Sequence, residues 1–239
     1  MLNYNPVIVA MDFSDKTKLL EAAAKLSEKV GMFKIGLELF VKFGPDILNE
    51  ILKRNGKIML DLKLHDIPNT VQQAAKNAAL LNVSLMTIHT SGGFAMMKAA
   101  AEAVQAVAEE TGNPKTKILG VTILTSIDEQ TLNTELGCAR SLKEQVVTLA
   151  KLAQKAGLDG VVCSPHEITE IREACGKDFL IVTPGIRPAG SAVNDQKRIM
   201  TPSEAIKKGA NYMVIGRPIT HAESPELAAA EILTEIKDL

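Results

Sequence analysis

Residues 57–64 read Lys-Ile-Met-Leu-Asp-Leu-Lys-Leu, an apolar run that ends in two alternating charges, Asp61 and Lys63. Short runs of this kind are typical of strands buried on both faces of a parallel sheet. The Ala- and Leu-containing stretch that follows, up to residue 81, has the composition of a helix. The segment therefore predicts one strand followed by one helix.

The same unit recurs along the chain. Seven further apolar runs predict strands at residues 7–12, 32–39, 85–90, 117–124, 160–164, 179–185 and 212–218. Eight strand-helix units without a break in composition predict a single α/β domain over residues 1–239, a (β/α)8 TIM barrel. The alternative, an open doubly wound sheet, favours a glycine-rich turn after the first strand, and residues 12–18 (DFSDKTK) contain no glycine.

Composition excludes several classes of function. The chain has 239 residues, with 27 Lys and Arg against 28 Asp and Glu, so no basic excess favours nucleic acid or an anionic membrane. Aromatic residues make up 3% and Trp is absent, which disfavours base stacking. The three cysteines follow no zinc-ligand spacing. Together with an N-terminus unlike a signal peptide, they indicate a cytoplasmic globular protein with reduced thiols, and composition does not name its reaction.

Two segments depart from the repeat. Residues 125–140 lie between the fifth strand and its main helix and predict an extra short helix. Residues 185–200 form a long polar loop rich in Gly, Pro and Ser. Loops of this length are often lids over a binding site, although a tolerated surface insertion explains the pattern equally well.

Charged residues stand where buried strands should be apolar. They occur at or near the carboxyl ends of the first three strands: Asp12, Lys34, Asp61 and Lys63. Active sites of TIM barrels lie at these ends, and side chains two apart on a strand face the same way. A lysine beside carboxylates keeps its proton and can act as a proton donor. An ion pair at the barrel rim is the alternative for Asp61 and Lys63, and four charges on three strands favour a site.

Other positions keep two interpretations. Gly216 and Arg217 end the eighth strand, where such barrels often bind phosphate, or Arg217 is an ordinary surface residue. His89 is either a catalyst or a hydrogen-bonded residue of the barrel. For Asn69 and Thr70 the structural alternative is a cap of the third main helix, with Gln73 completing a capping box from Thr70.

The run from Asp61 to Thr70, DLKLHDIPNT, closely resembles the signature of the orotidine 5′-phosphate decarboxylases. Its first part, DxKxxD, also occurs in keto-gulonate-phosphate decarboxylases and hexulose-phosphate synthases, whereas the continuation Ile-Pro-Asn-Thr is more specific. The resemblance extends over the whole chain through VIVAMD (7–12), FKIGLELF (33–40), VTILTS (121–126), VTPGIRP (182–188) and VIGRPI (214–219).

This resemblance implies a homodimer of TIM barrels that needs neither cofactor nor metal. It implies decarboxylation of orotidine 5′-monophosphate to uridine 5′-monophosphate, the last step of de novo pyrimidine synthesis. Lys63 would donate the proton to C6 of the pyrimidine, and Asp61 would lie against the substrate carboxylate. Lys34 and Asp12 would bind the ribose within the charged array.

The resemblance also assigns residues outside that array. Asp66 and Thr70 would reach the active site of the partner subunit, and Ile67 would line the partner's pocket. Thr125 and Ser126 would contact the pyrimidine. The remaining residues would bind the ring and phosphate sides of the substrate, beneath a closing loop at 185–200: Pro184, Arg187, Gln196, Gly216 and Arg217.

Two other functions remain compatible with the residues. A related barrel enzyme could use the same Asp and Lys on a sugar phosphate with a magnesium ion, and its activity would depend on metal. A barrel that only binds phosphate would show no turnover, and it would not need a buried lysine beside Asp61.

Overall fold

The computed structural model describes residues 4–188 and 200–239. Its eight strands are all parallel and close into a barrel in the order in which they follow along the chain. The strands are β1 (Val7–Ala10), β2 (Met32–Gly36), β3 (Ile58–Leu64), β4 (Leu85–His89), β5 (Lys117–Val121), β6 (Gly160–Val162), β7 (Leu180–Thr183) and β8 (Tyr212–Ile215). The predicted (β/α)8 TIM barrel is confirmed.

Helices surround this barrel. Within the described ranges they are α1 (Lys16–Leu26), α2 (Leu37–Phe43), α3 (Asp46–Leu52), α4 (Pro68–Leu80), α5 (Gly93–Thr111), α6 (Glu129–Thr134), α7 (Leu142–Lys155), α8 (Ile168–Cys175), α9 (Pro202–Lys208), α10 (Arg217–Thr220) and α11 (Pro225–Glu235). The predicted extra helix within 125–140 is α6. None of these helices is both long and apolar enough to cross a membrane.

The core has two layers because strand side chains alternate between the two faces of the sheet. One layer fills the space between strands and helices, and it includes the outward-facing Val7 and Val9 of β1. The other fills the inside of the barrel with Ile8, Ala10, Met32, Met59, Leu85, Leu119, Val182 and Val214. This inner layer forms the floor of the barrel's carboxyl end.

Most predicted strands are too long at their carboxyl ends. The second ends at Gly36 because residues 37–43 form α2, and the eighth ends at Ile215 because Arg217 begins α10. Arg217 therefore lies in a short helix beyond the strand. Apolar composition alone did not separate the strand from the helix in FKIGLELF, since both contribute apolar side chains to the core between strands and helices.

Helix starts follow the sequence signals in two cases and depart from them in one. Ser164 and Thr201 both form capping boxes, with Glu167 and Glu204, as the Ser/Thr-x-x-Glu spacing predicts. The predicted cap of α4 by Asn69 or Thr70 is wrong, since the helix begins at Pro68. Proline fits the first helical position because its missing N–H is not needed there.

Candidate active site

The charged residues continue the inner layer of the barrel upward. Lys34 lies two residues after Met32, and Asp61 lies two residues after Met59, so each side chain points to the inside of the barrel. Their side chains are only 14% and 12% exposed. The same strand geometry that fills the barrel with apolar side chains thus places two opposite charges at its mouth.

Four charges form a continuous chain across β1, β2 and β3. Lys34 Nζ lies 3.4 Å from Asp12 Oδ1 and 3.8 Å from Asp61 Oδ2. Lys63 Nζ donates a hydrogen bond of 2.9 Å to the same Asp61 oxygen. Signs alternate along this chain, so each buried charge has an opposite neighbour that offsets the cost of removing it from water.

Thr87 on β4 completes the surroundings of Asp61, and sequence reasoning missed it. Its hydroxyl donates to Asp61 Oδ1 at 2.9 Å and accepts from the backbone N–H of Lys63 at 3.0 Å. The side chain is 1% exposed. One signal was available, because a polar residue two positions after Leu85 on a fully buried strand must also face the inside of the barrel.

The backbone of β3 is irregular beside Thr87. Leu60 pairs with Met86, but Leu64 pairs with Ile88, so three residues of β3 lie opposite the single residue Thr87. Lys63 has a φ of 51°, in the left-handed region that costs a non-glycine residue about 1–2 kcal/mol. The closeness of Asp61 and Lys63 therefore depends on this bulge and not on the regular alternation that the sequence suggested.

A cavity with two lobes opens above the charged chain. One lobe, of about 180 Å³, is lined by Asp61, Lys63 and Thr125, and the other, of about 340 Å³, by Asp12, Arg187 and Arg217. Three residues line both lobes: Lys34, Pro184 and Val214. Gly216 lies in the wall of the larger lobe. The site is therefore elongated, with the lysine-carboxylate chemistry at one end and two arginines at the other.

The arginine end has the properties of an anion site. Arg187 is 7% exposed, and its Nε has no hydrogen-bond partner among the described residues. Burial and the neighbouring guanidinium of Arg217 both lower the pKa of Arg187. A bound anion would accept a hydrogen bond from the unpaired N–H and would offset the repulsion between the two arginines.

His89, at the end of β4, stands beside the charged chain. Its ring centroid lies 5.5 Å from that of His65. Burial, His65 and Lys63 lower the pKa of His89, and Asp61 opposes this shift. His89 is consequently neutral near pH 7 and adds no further positive charge to the site.

Some residues predicted from the resemblance lie apart from the cavity. Asp66, Ile67 and Thr70 are exposed on the loop after β3 and in the first turn of α4, and the Asp66 carboxylate accepts from the N–H of Ile67. Ser126 is exposed and does not line either lobe. Gln196 and most of the loop 185–200 lie outside the described residues. The near ends of that loop are paired, since Arg187 N donates to Met200 O.

The carboxylates do not form a metal site in the part of the chain that the structure describes, where no three His, Cys, Asp or Glu side chains cluster suitably. Asp61 in particular already has two ammonium groups within 4 Å. A divalent cation bound to it would be repelled by both.

The chain is similar to known proteins over most of its length. A family model described as the orotidine 5′-phosphate decarboxylase / HUMPS family matches residues 5–232. The chain belongs to this family. Two curated family relatives are named orotidine 5′-phosphate decarboxylase. That of Moorella thermoacetica is 50% identical over 97% of this chain and 92% of its own, and that of Geobacter sulfurreducens is 53% identical over 96% and 95%.

Solved structures of the family share the fold. The crystal structure of orotidine 5′-phosphate decarboxylase from Lactobacillus acidophilus superposes with a TM-score of 0.87 at 41% identity, and covers 97% of this chain and 99% of that one. The Pyrococcus horikoshii structure, at 23% identity, has a TM-score of 0.77. At that identity the likeness concerns the barrel alone.

Proposed function

We propose that the chain decarboxylates orotidine 5′-monophosphate to uridine 5′-monophosphate and CO₂, with Lys63 as the proton donor to C6. The family membership supports the reaction. The observation that carries the role of Lys63 is its ammonium group, held 2.9 Å from buried Asp61 at the base of a cavity. The cavity also has the lysine-carboxylate groups at one end and two arginines at the other, an arrangement that fits the base and the phosphate of a nucleoside monophosphate.

The reaction needs a cation at the carbon that loses its carboxylate. When the bond between C6 and the carboxyl carbon breaks, CO₂ leaves and the electron pair stays on C6, in the plane of the ring where the π system cannot delocalise it. The ammonium of Lys63 stabilises this developing charge and then transfers a proton to C6. The neutral amine that results regains a proton from solvent, so the chemistry is complete without an electron sink.

Asp61 serves this step in two ways. Its hydrogen bond fixes the position of the Lys63 ammonium. Its charge also lies where the substrate carboxylate would enter. We assign Lys34, which lines both lobes, and Asp12, which lies beside it in the larger lobe, to the ribose, and Thr125 to the pyrimidine.

The larger lobe is assigned to the phosphate. Arg187 and Arg217 supply two guanidinium groups, and Pro184 and Gly216 shape the wall between them and the ring. We assign Gln196 and Ser126 to the same substrate, and the loop 185–200 to closure over it. Phosphate binding would then contribute to ordering the catalytic site, as remote binding energy does in other enzymes.

The exposed residues after β3 are assigned to a second subunit. Ile67 is 66% exposed beside the exposed carboxylate of Asp66, a combination that gives an isolated subunit no stability. In a two-fold dimer this patch of each subunit would contact the active-site mouth of its partner, and the symmetry would make that contact reciprocal. Asp66 would thereby join the catalytic set of the partner, and Thr70 and Ile67 its binding pocket.

The test is an assay of the wild type and of Lys63→Ala with orotidine 5′-monophosphate, followed by the loss of orotate absorbance in the presence of a chelator. The wild type should turn over, and Lys63→Ala should lose measurable kcat while keeping its fold. Lys115→Ala is the matched control, because Lys115 forms a 3.0 Å pair with Asp159 at the amino end of the barrel. An inactive wild type, or activity only with added magnesium and a sugar phosphate, would overturn the proposal.

A further inference from the structure

The Thr87 hydroxyl contacts both parts of the catalytic pair, Asp61 and Lys63. It donates to Asp61 Oδ1, whereas both lysines pair with Asp61 Oδ2, and it accepts from the backbone N–H of Lys63. Both hydrogen bonds lie in the barrel interior, where Thr87 is 1% exposed. One side chain thus holds both the Asp61 carboxylate and the backbone of Lys63 by hydrogen bonds.

The bulge in β3 makes this contact necessary. Because three residues of β3 lie opposite Thr87, the N–H of Lys63 bonds to the threonine hydroxyl, where a regular ladder would supply a carbonyl. The same N–H belongs to the residue with a φ of 51°. A strained backbone persists only where its surroundings hold it, and Thr87 is a contact that does so.

We propose that Thr87 is a positioning residue for the decarboxylation, which fixes the distance between the Lys63 ammonium and the reacting carbon through Asp61 and the β3 bulge. This inference rests on the proposed function and deepens it. Thr87 does not line either lobe of the cavity, so it acts through its neighbours and not on the substrate. Misplacement of a catalytic group weakens binding of the transition state more than binding of the substrate. Loss of the Thr87 hydroxyl should therefore lower kcat more than it changes KM.

The experiment compares Thr87→Val, which keeps the shape and removes the hydroxyl, with Thr87→Ser, which keeps the hydroxyl. Thr87→Val should lower kcat about 10- to 100-fold with less than about a 3-fold change in KM. Thr87→Ser should recover kcat to within about 3-fold of the wild type. Thr87→Ala replaces Thr87→Val if the latter does not fold, because the smaller side chain adds no clash.

Thr116→Val is the matched control. Thr116 is 3% exposed, and its hydroxyl donates to Val83 O beside the amino end of β5. This variant should match the wild type in kcat and in KM, even if its stability falls. The inference is overturned if the wild type is active and Thr87→Val retains its kcat, or if Thr87→Ser loses as much kcat as Thr87→Val. An inactive wild type would instead refute the proposed function.

Discussion

Arg187 is buried and Arg172 is half-buried, and their replacement by methionine should have opposite consequences for stability and activity. Arg172 donates four hydrogen bonds, to the carbonyls of Gly176, Phe179 and Gly209 and to Asn211 Oδ1. Arg187 leaves Nε unpaired among the described residues and faces Arg217. The first arginine stabilises the barrel, and the second is placed to bind an anion at some cost to the free protein.

The magnitudes follow from these contacts. An unpaired buried polar group costs about 1–3 kcal/mol, so Arg187→Met should leave the free energy of unfolding unchanged or raise it by up to that amount. Arg172→Met should lower it by at least about 3 kcal/mol, since several charge-assisted hydrogen bonds are lost together. Loss of one such bond to the substrate phosphate should lower kcat/KM of Arg187→Met about 10- to 150-fold.

Two measurements test the assignment of Arg187 to the phosphate. Denaturant unfolding gives the free energy of both variants, and initial rates give kcat/KM for orotidine 5′-monophosphate and for orotidine, which lacks the phosphate. Arg187→Met should lose activity on the phosphorylated substrate alone, and Arg172→Met should keep the wild-type ratio between the two substrates. Equal losses on both substrates, or a strong destabilisation by Arg187→Met, would refute the assignment of Arg187 to the phosphate.

Two further predictions concern the subunit interface and pH. Asp66→Ala and Lys63→Ala subunits, each inactive alone, should regain up to about a quarter of wild-type activity when they are mixed in equal amounts. Half of the dimers are then mixed, and each mixed dimer has one intact site out of two. If mass spectrometry shows mixed dimers and activity does not return, the active site is not shared between subunits. Since the pKa of His89 is lowered in the folded protein, the unfolded chain binds more protons below about pH 6.5, and the free energy of unfolding should fall as the pH falls through that range. Between about pH 7.5 and about pH 5.5, the free energy of unfolding measured with denaturant should fall less for His89→Gln than for the wild type. Equal falls would show that His89 is not the source of this pH dependence.

The barrel was predictable because its signal is repeated and physical. Buried parallel strands need nearly continuous apolar runs, and eight such runs alternate with helices in this chain. The carboxyl ends were less predictable. The helix α2 follows β2 without a polar break, so composition extended the strand to residue 39, and the same happened where α10 follows β8.

Within the site, charge was visible in the sequence but geometry was not. Asp61 and Lys63 stand out because buried charges are costly, and the structure brings them together with Lys34 and Asp12. Thr87 did not stand out, because threonine is common in strands for its shape alone. The bulge that makes its hydroxyl important arises from pairing between two strands, which no single segment encodes.

The junction of the two lobes has a consequence for inhibitor design. A compound that joins a ring mimic to a phosphate mimic must pass the Lys34 ammonium, which lines both lobes and is largely shielded from water. A plain alkyl linker would cover that cation without offering it an acceptor, and the desolvation cost would offset the gain from joining the two ends. The linker should therefore carry a hydroxyl or an ether oxygen at the point where it crosses Lys34.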